Sequence, residues 1–335
     1  MGRGARGPSM HDVASLAGVS HQTVSRVLNG FEGIRPETRQ RVLDAIEELG
    51  YRRNLAARSL ATGRTGVVGV LAPDNPTFGA TSSLYAVESA LRGAGLQPLI
   101  TTTSGKAESV ESALEFLYGR AVEALVVMAP SRSVLEVHDR MGAEVPTAYL
   151  LTGDERGVWS VSTDQTAGAE LLVETLIEAG HRWIQHVRGP VDSTEAELRA
   201  AAYIATMGRR ALPTLPVLVG DWSPQSGYEA FARLDPRTTA VFCGNDQMAI
   251  GLIHAAVEAG IRVPDDLSVV GFDDIPEAAH TLPPLTTVRQ DFRSVGRLAV
   301  QLLQATLEGT EQPSTAPLSP QLVARGSVAP PGERG

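Results

Sequence analysis

From Val67 onward the sequence repeats one pattern: a short apolar run, an amphipathic stretch of helical length, then another apolar run. VVGVLA (67–72), TSSLYAVESALRGAG, LQPLITT, SVESALEFLYG and ALVVMA (124–129) follow in that order. Neighbouring parallel strands need a crossover connection, usually a helix, so this alternation predicts a doubly wound α/β unit with a parallel sheet. The series then restarts. QTAGAELLVETLIEAGH (165–181) leads into WIQHV, a helix near Ala196–Met207, LPVLV, a helix at Gln225–Leu234, TAVFCG, a helix at Asp246–Ala259 and LSVVGF. Two such lobes make a clamshell that binds ligand between the C-terminal edges of its strands.

Polar residues fall at those edges. Asn245 and Asp246 follow TAVFCG, and Asp273 and Asp274 follow LSVVGF. Arg199 lies in the helix after GPVDSTE, and Gln290 sits where TTVRQDF passes between lobes. Carboxylate, amide and guanidinium groups match vicinal hydroxyls, and Trp222 in GDWSPQSGY offers a sugar ring an apolar face. Each has a structural alternative: Asp274 as a loop cap, Asn245 as the N-cap of the Asp246 helix, Trp222 as core.

Residues 10–50 have a different period. In HDVASLAGVSHQTVSRVLNG (11–30), Val13, Leu16 and Ala17 form one helical stripe, and Val24, Val27 and Leu28 form another. Gly18 relieves the bend, Val19 plugs the gap and Ser20 is a ready N-cap. Small Ala14 suits a close helix crossing. This is helix-turn-helix spacing, in which the second helix enters the major groove. Its outward face carries His21, Gln22, Ser25, Arg26 and Asn29; Gln reads adenine, Arg reads guanine, and Ser or Asn reach phosphates or bases. The alternative is an ordinary solvated helix of a three-helix bundle. A third helix over 36–50 starts with Pro36, turns Val42, Leu43, Ile46 and Leu49 inward, and ends at Gly50.

Charge divides along the same boundary. Through Arg64 there are ten Arg and six Asp or Glu, a net of +4, and the rest of the chain carries −13. A basic head and an acidic body point to an anionic partner for the head. Lys106 is the only lysine, so general arginine usage accounts for part of that bias. No apolar run approaches the ~20 residues a bilayer span needs, and MGRGARGPSM leads into no signal-peptide core, so a cytoplasmic protein is expected. Cys243 is the only cysteine, which excludes an internal disulfide and a multi-cysteine zinc site. On the apolar strand AVFCG it reads as core packing. There is no GxxxxGK[ST] loop, and His181, His186, His254 and His280 are scattered; no catalytic residue, metal or cofactor is expected.

The chain resembles the LacI/GalR family of bacterial transcription repressors from about Met10 to about Pro330, its body being most like the lactose-responsive branch. The motifs are DVASLAGVSHQTVSRVLNG, RPETRQRVLDAIEELGYRRNLAARSLATG, GDWSPQSGY, NDQMAIG and DLSVVGFDDIPEAAHTLPPLTTVRQDF. The resemblance implies a small all-α helix-turn-helix head on an α/β two-lobed body like a periplasmic binding protein. It implies a homodimer on a palindromic double-stranded operator, a small sugar effector and no membrane partner. It assigns base reading to His21, Gln22 and Arg26, and phosphate contacts or their neighbours to Ser20, Thr23, Ser25, Asn29 and Tyr51. RNLAARSLATG (53–63) matches the family's hinge helix, with Leu60 wedging into the minor groove, Asn54 and Ala57 along its floor, and Arg58 near phosphates. Arg199, Trp222, Asn245, Asp273, Gln290 and Phe292 match sugar-lining positions.

Departures bear on the ligand. Leu151 replaces an aspartate that holds sugar hydroxyls in the lactose-responsive branch, Glu195 replaces a serine nearby, and His21 stands for a tyrosine. A galactoside is therefore not implied. PPGERG after Ala329 lacks a leucine-heptad tail, which predicts a dimer. The expected division is a tail at 1–9, a DNA-binding domain at 10–52, a hinge and linker at 53–65, an effector and dimerisation domain at 66–330, and a tail at 331–335. Within the body, one lobe takes about 66–163 and 292–318, the other about 164–290 and 319–330. A periplasmic-type sugar receptor would share the body but has no use for residues 10–50. A sugar-acting enzyme would also hold a sugar with carboxylates.

Overall fold

The computed structural model describes residues 7–52, 64–74, 77–128, 132–142, 144–150 and 160–332. The chain falls into two compact units, Met1–Thr65 and Gly66–Gly335.

In the first unit, α1 (Met10–Ala17), α2 (His21–Leu28) and α3 (Pro36–Leu49) form a small bundle. Ser9 and Asp12 make a reciprocal capping box at the start of α1, and Gly18 ends it in the left-handed conformation at φ 63°. Val13, Ala14, Ala17, Val24, Val27, Val42, Ala45 and Tyr51 are the buried core. Two expected core residues are elsewhere: Leu16 and Leu43 are 46% and 45% exposed. With α1 and α3 in close contact, the small side chains Ala14 and Ala45 take the inner positions, and each leucine lies at the stripe's outer edge.

In the second unit, β1 (Val67–Pro73), β2 (Gln97–Thr103), β3 (Ala124–Met128), β4 (Thr147–Leu150) and β5 (Ser160–Val161) form a parallel sheet in the order β2-β1-β3-β4-β5. Helices α4 (Phe78–Gly93), α5 (Ala107–Tyr118) and α6 (Arg132–Met141) connect its strands. Alternation along β1 decides which helices cover which face. Val68, Val70 and Ala72 pack under Val87 and Leu91 of α4, whereas Leu71 packs with Val110, Leu114 and Leu117 of α5.

The second lobe repeats the plan. Strands β6 (Ile184–Arg188), β7 (Leu218–Val219), β8 (Ala240–Cys243) and β9 (Ser268–Val270) run parallel in the order β7-β6-β8-β9. Between α7 (Gln165–Glu178) and α8 (Thr194–Arg209) on one face and α9 (Pro224–Phe231) and α10 (Asp246–Glu258) on the other, both faces are buried. The chain then returns through β10 (Thr287–Arg289) to α11 (Phe292–Glu308), which packs on α4 in the first lobe. It comes back to pair β11 (Gln321–Val323) antiparallel with β10.

Both sheets reverse direction between their first and third members, β1/β3 and β6/β8. Such switch points open crevices at the carboxyl ends of the strands. The tightest packing supporting them is between α9 and α10, where a Cβ on Gly251 would stand 1.8 Å from the Pro224 carbonyl oxygen. Gly251→Ala should therefore force the two helices apart and cost about 1–3 kcal/mol, read as a lower melting temperature in calorimetry; an unchanged melt would contradict this packing.

Candidate functional site

In the head, Ser20 begins α2 by accepting a hydrogen bond from the Thr23 amide at 3.1 Å. The Ser20 and Thr23 hydroxyls lie 2.9 Å apart. His21, Gln22, Arg26 and Asn29 are exposed on one side of α2, with Thr23 and Ser25 half-buried beside them. Asn29 Nδ2 donates to Ser25 Oγ, and the Arg26 guanidinium sits 5.5 Å over the exposed Phe31 ring. Tyr51 lies in the core of the head at 9% exposure. Asn54, Ala57, Arg58 and Leu60 lie outside the described residues, as does Leu151.

In the body, Arg199, Trp222, Asn245, Asp273, Gln290 and Phe292 all line one cavity of about 200 Å³. Every one comes from a strand end or from the start of a helix following it. Arg199 is one turn into α8 and only 2% exposed. Its Nε donates to Gln165 Oε1 at 2.9 Å and its Nη1 to the Gly244 carbonyl. Nη2 stands 3.9 Å from Asp273 Oδ1. Gln165 Nε2 donates to Gln290 Oε1 at 3.0 Å, and Gln290 Nε2 donates to Asp273 Oδ1 at 2.7 Å. The four side chains thus form a closed polar ring, with the guanidinium stacked 3.7 Å from the centre of the Phe272 ring.

Trp222 follows β7 with φ 73°, a conformation that costs a non-glycine residue of order 1–3 kcal/mol. Its carbonyl accepts a hydrogen bond from Asn245 Nδ2 at 3.0 Å, and Asp221 holds the next turn by accepting from the Ser223 amide and hydroxyl. The indole lies against backbone: a Cβ on Gly189 would fall 2.2 Å from its Cζ2 and one on Gly244 3.1 Å from its Cζ3. Asn245 is also the N-cap of α10, its Oδ1 accepting from the Met248 amide at 2.9 Å. The structural and the lining readings of Asn245 therefore hold together. Phe292 closes the other side, edge-on to Phe78 at 5.9 Å. Asp246 and Asp274 do not line the cavity: Asp246 accepts from Thr287 Oγ1 and the Ile275 amide, and Asp274 pairs with Arg289 and Arg325.

Residues 9–54 match the model for bacterial regulatory proteins of the lacI family, and residues 173–328 match a periplasmic binding protein-like domain. The transcriptional repressor PurR of Haemophilus influenzae (strain PittEE) is 33% identical over 96% of this chain and 98% of its own. The transcriptional regulator MalR of Streptomyces coelicolor is 36% identical over 97% and 98%. The lac repressor dimer bound to operator and the anti-inducer ONPF superposes with a TM-score of 0.89 at 31% identity, covering 97% of this chain and all of that one. The chain belongs to the LacI family. It is a transcriptional regulator with a helix-turn-helix head and a ligand-binding α/β body, and its relatives are regulators rather than enzymes. No helix among the described residues is long and apolar enough to cross a membrane, and none of their His, Cys, Asp and Glu side chains group as a metal site.

The lobe nearer the N-terminus supplies the half of the cavity that sequence reasoning missed. Asp74 after β1, Thr103 at the end of β2 with Ser104 following it, and Met128 at the end of β3 line it. The signal available was positional: all four stand at carboxyl ends of strands around the β1/β3 switch point. Asp192 was also missed, in the loop before α8.

Burial sets the charge state of the two carboxyls nearest Arg199. Burial pushes Glu195 up from 4.5 to about 7, against the attraction of Arg199 and with the repulsion of Asp273. Asp273 rises from 3.8 to about 6, again through burial, opposed by Arg199 and the Gln290 amide. A carboxyl raised on folding stabilises the native state relative to high pH only while it is protonated; that contribution is lost as the pH climbs through the folded pKa. Glu195→Gln cannot ionise. It should melt above wild type at about pH 8 and converge with it near about pH 4; a variant that melts below wild type at the higher pH would contradict the assigned cost.

Proposed function

We propose that this protein represses carbohydrate uptake or catabolism genes by holding a palindromic operator as a homodimer, and that a small carbohydrate in the interlobe cavity releases it. The observation that carries this reading is the convergence of Arg199, Trp222, Asn245, Asp273, Gln290 and Phe292 on one cavity at two facing sheet edges. Carboxylate, guanidinium and amide groups beside two aromatic rings suit a ring that is polar at its rim and apolar on its faces. The lac repressor dimer bound to operator, which this chain matches over almost its full length, supports the dimer and the DNA partner.

On the DNA, Gln22 and Arg26 are the bidentate readers, with His21 beside them, and Ser20, Thr23, Ser25 and Asn29 reach the backbone. Tyr51 serves through the core, fixing the end of α3. No catalytic step is involved. The ligand acts only through a difference in affinity between the DNA-bound and released states, a coupling of about 1–3 kcal/mol in typical cases.

Arg26→Ala should lose specific operator binding, about 1–3 kcal/mol per half-site, while binding ligand as wild type does; retained specific binding in a gel-shift titration would misassign α2. Arg199→Ala should keep operator affinity and lose release by ligand, and normal release would place the effector elsewhere. Sedimentation equilibrium should report a dimer, against which a stable tetramer or a monomer at working concentration would count directly.

A further inference from the structure

We infer that the interlobe cavity accepts only ligands without negative charge, excluding phosphorylated and carboxylate-bearing analogues, and that Glu195 sets this selectivity. The inference rests on the reading of the cavity as the effector site. It concerns the chemical class of effector, and it is argued from charge rather than from which sugar fits.

Carboxylates of Asp74, Asp192, Glu195 and Asp273 line the cavity. Among the described residues lining it, Arg199 is the only cation. That guanidinium already serves the protein, directing Nε to Gln165, Nη1 to Gly244 and Nη2 toward Asp273. A phosphate entering here would meet this one guanidinium already facing Asp273 at 3.9 Å, with no second cation among the described lining residues to complete the clustered set of donors that phosphate recognition takes. Asp273 is the converse. One oxygen holds Gln290, and the other has no partner among the described residues although the residue is only 8% exposed. An acceptor on the cavity wall suits a donor, which a hydroxyl provides and a phosphate or carboxylate group lacks.

Helix N-termini around the cavity would ordinarily argue the other way, since such ends bind anions. Here they are occupied by their own side chains. Thr77 caps α4, Ser193 caps α8, Asn245 caps α10 and Asp291 caps α11, each accepting one of the first-turn amide hydrogen bonds open to an anion. Glu195 adds a further carboxyl to the first turn of α8, one helical turn before Arg199 and on the same face. Placing a second negative charge beside Glu195 and Asp273, out of bulk water, is opposed by direct repulsion. A hydroxyl both donates and accepts and meets the mixed lining without that penalty.

Calorimetric titration of the full chain at about pH 8, above the raised values of Glu195 and Asp273, with matched pairs tests this: glucose against glucose 6-phosphate, cellobiose against cellobiuronate, and inosine against inosine 5′-monophosphate. At least one neutral member should bind, and its anionic partner should bind about tenfold more weakly or worse. Glu195→Gln should bring the two to within about threefold of each other. The substitution separates charge from size, because a bulky phosphate rejected on steric grounds stays rejected in the variant. An anionic partner that binds wild type as tightly as its neutral counterpart overturns the inference, and so does a ratio unchanged in Glu195→Gln. Binding by none of the neutral probes also overturns it. Inosine binding with the same exclusion of its 5′-monophosphate, and no response to either sugar, would sink the carbohydrate reading and leave the charge selectivity standing.

Discussion

A guanidinium withdrawn from water holds the body's site together. Arg199 can be buried only because α7 brings Gln165, the end of β8 brings the Gly244 carbonyl, and the end of β9 brings Asp273 to it. A buried ion pair of this kind is weak evidence for stability, because taking both charges out of water costs as much as their attraction returns or more. The upward pKa shifts of Asp273 and Glu195 record that outcome, with burial outweighing the pull of Arg199 in both. The ring is better understood as a fixed arrangement of donors and acceptors than as a staple. Its geometry is supplied by the sheets, and its unused acceptor faces the cavity.

The sheets can supply that geometry because their reversals face each other. Each lobe delivers its polar residues at the carboxyl ends of strands around the point where the strand order turns, so the lining groups arrive at the cavity from backbone fixed by the sheet. The two halves differ in character. The C-terminal lobe contributes the buried, interlocked ring and the tryptophan platform. The other contributes Asp74, Thr103 and Ser104, which are tied to their own loops: the Asp74 amide donates to the Thr103 carbonyl, and Thr103 Oγ1 donates to Ser109. Both sets line the same cavity, so its two walls belong to different lobes.

Much of this was legible in the sequence because it rests on period and spacing. Apolar runs alternating with helical stretches dictate parallel sheets, and the turn at Gly18 between two short stripes dictates the head. What was not legible has physical causes. Helical spacing marks a stripe three or four residues wide but does not say which edge of it a third helix will cover, so Leu16 and Leu43 were expected inside where Ala14 and Ala45 are. Tyr51, which the family resemblance alone singled out, follows α3 with no helical period of its own, so its place in the core was not legible. Asp74, Thr103, Ser104 and Met128 carry no pattern of their own; they matter only because three strands end side by side. Gly189 and Gly244 are the subtler case. Their small size is explained by the indole of Trp222, far along the chain, lying against them.

Backbone strain shows where this arrangement is held under tension. Trp222, Asp273 and Asp274 have φ of 73°, 113° and 56°, left-handed values that side chains other than glycine adopt at a cost. Two of the three face the cavity, and the third explains how the strain persists. The Asp274 side chain is only 6% exposed, and its two oxygens are taken by Arg289, at the end of β10, and by Arg325, just past β11. The Asp273 amide bonds to the Val288 carbonyl of β10, and Gln290 follows that strand as the chain leaves the lobe. The turn that aims Asp273 at a ligand is therefore bolted to the antiparallel pair through which the chain enters and leaves the other lobe. A shift of that pair cannot occur without moving Asp273, and a ligand that fixes Asp273 fixes the pair. The strained turn that carries Asp273 to the cavity and the strand pair that joins the lobes thus share the same few hydrogen bonds.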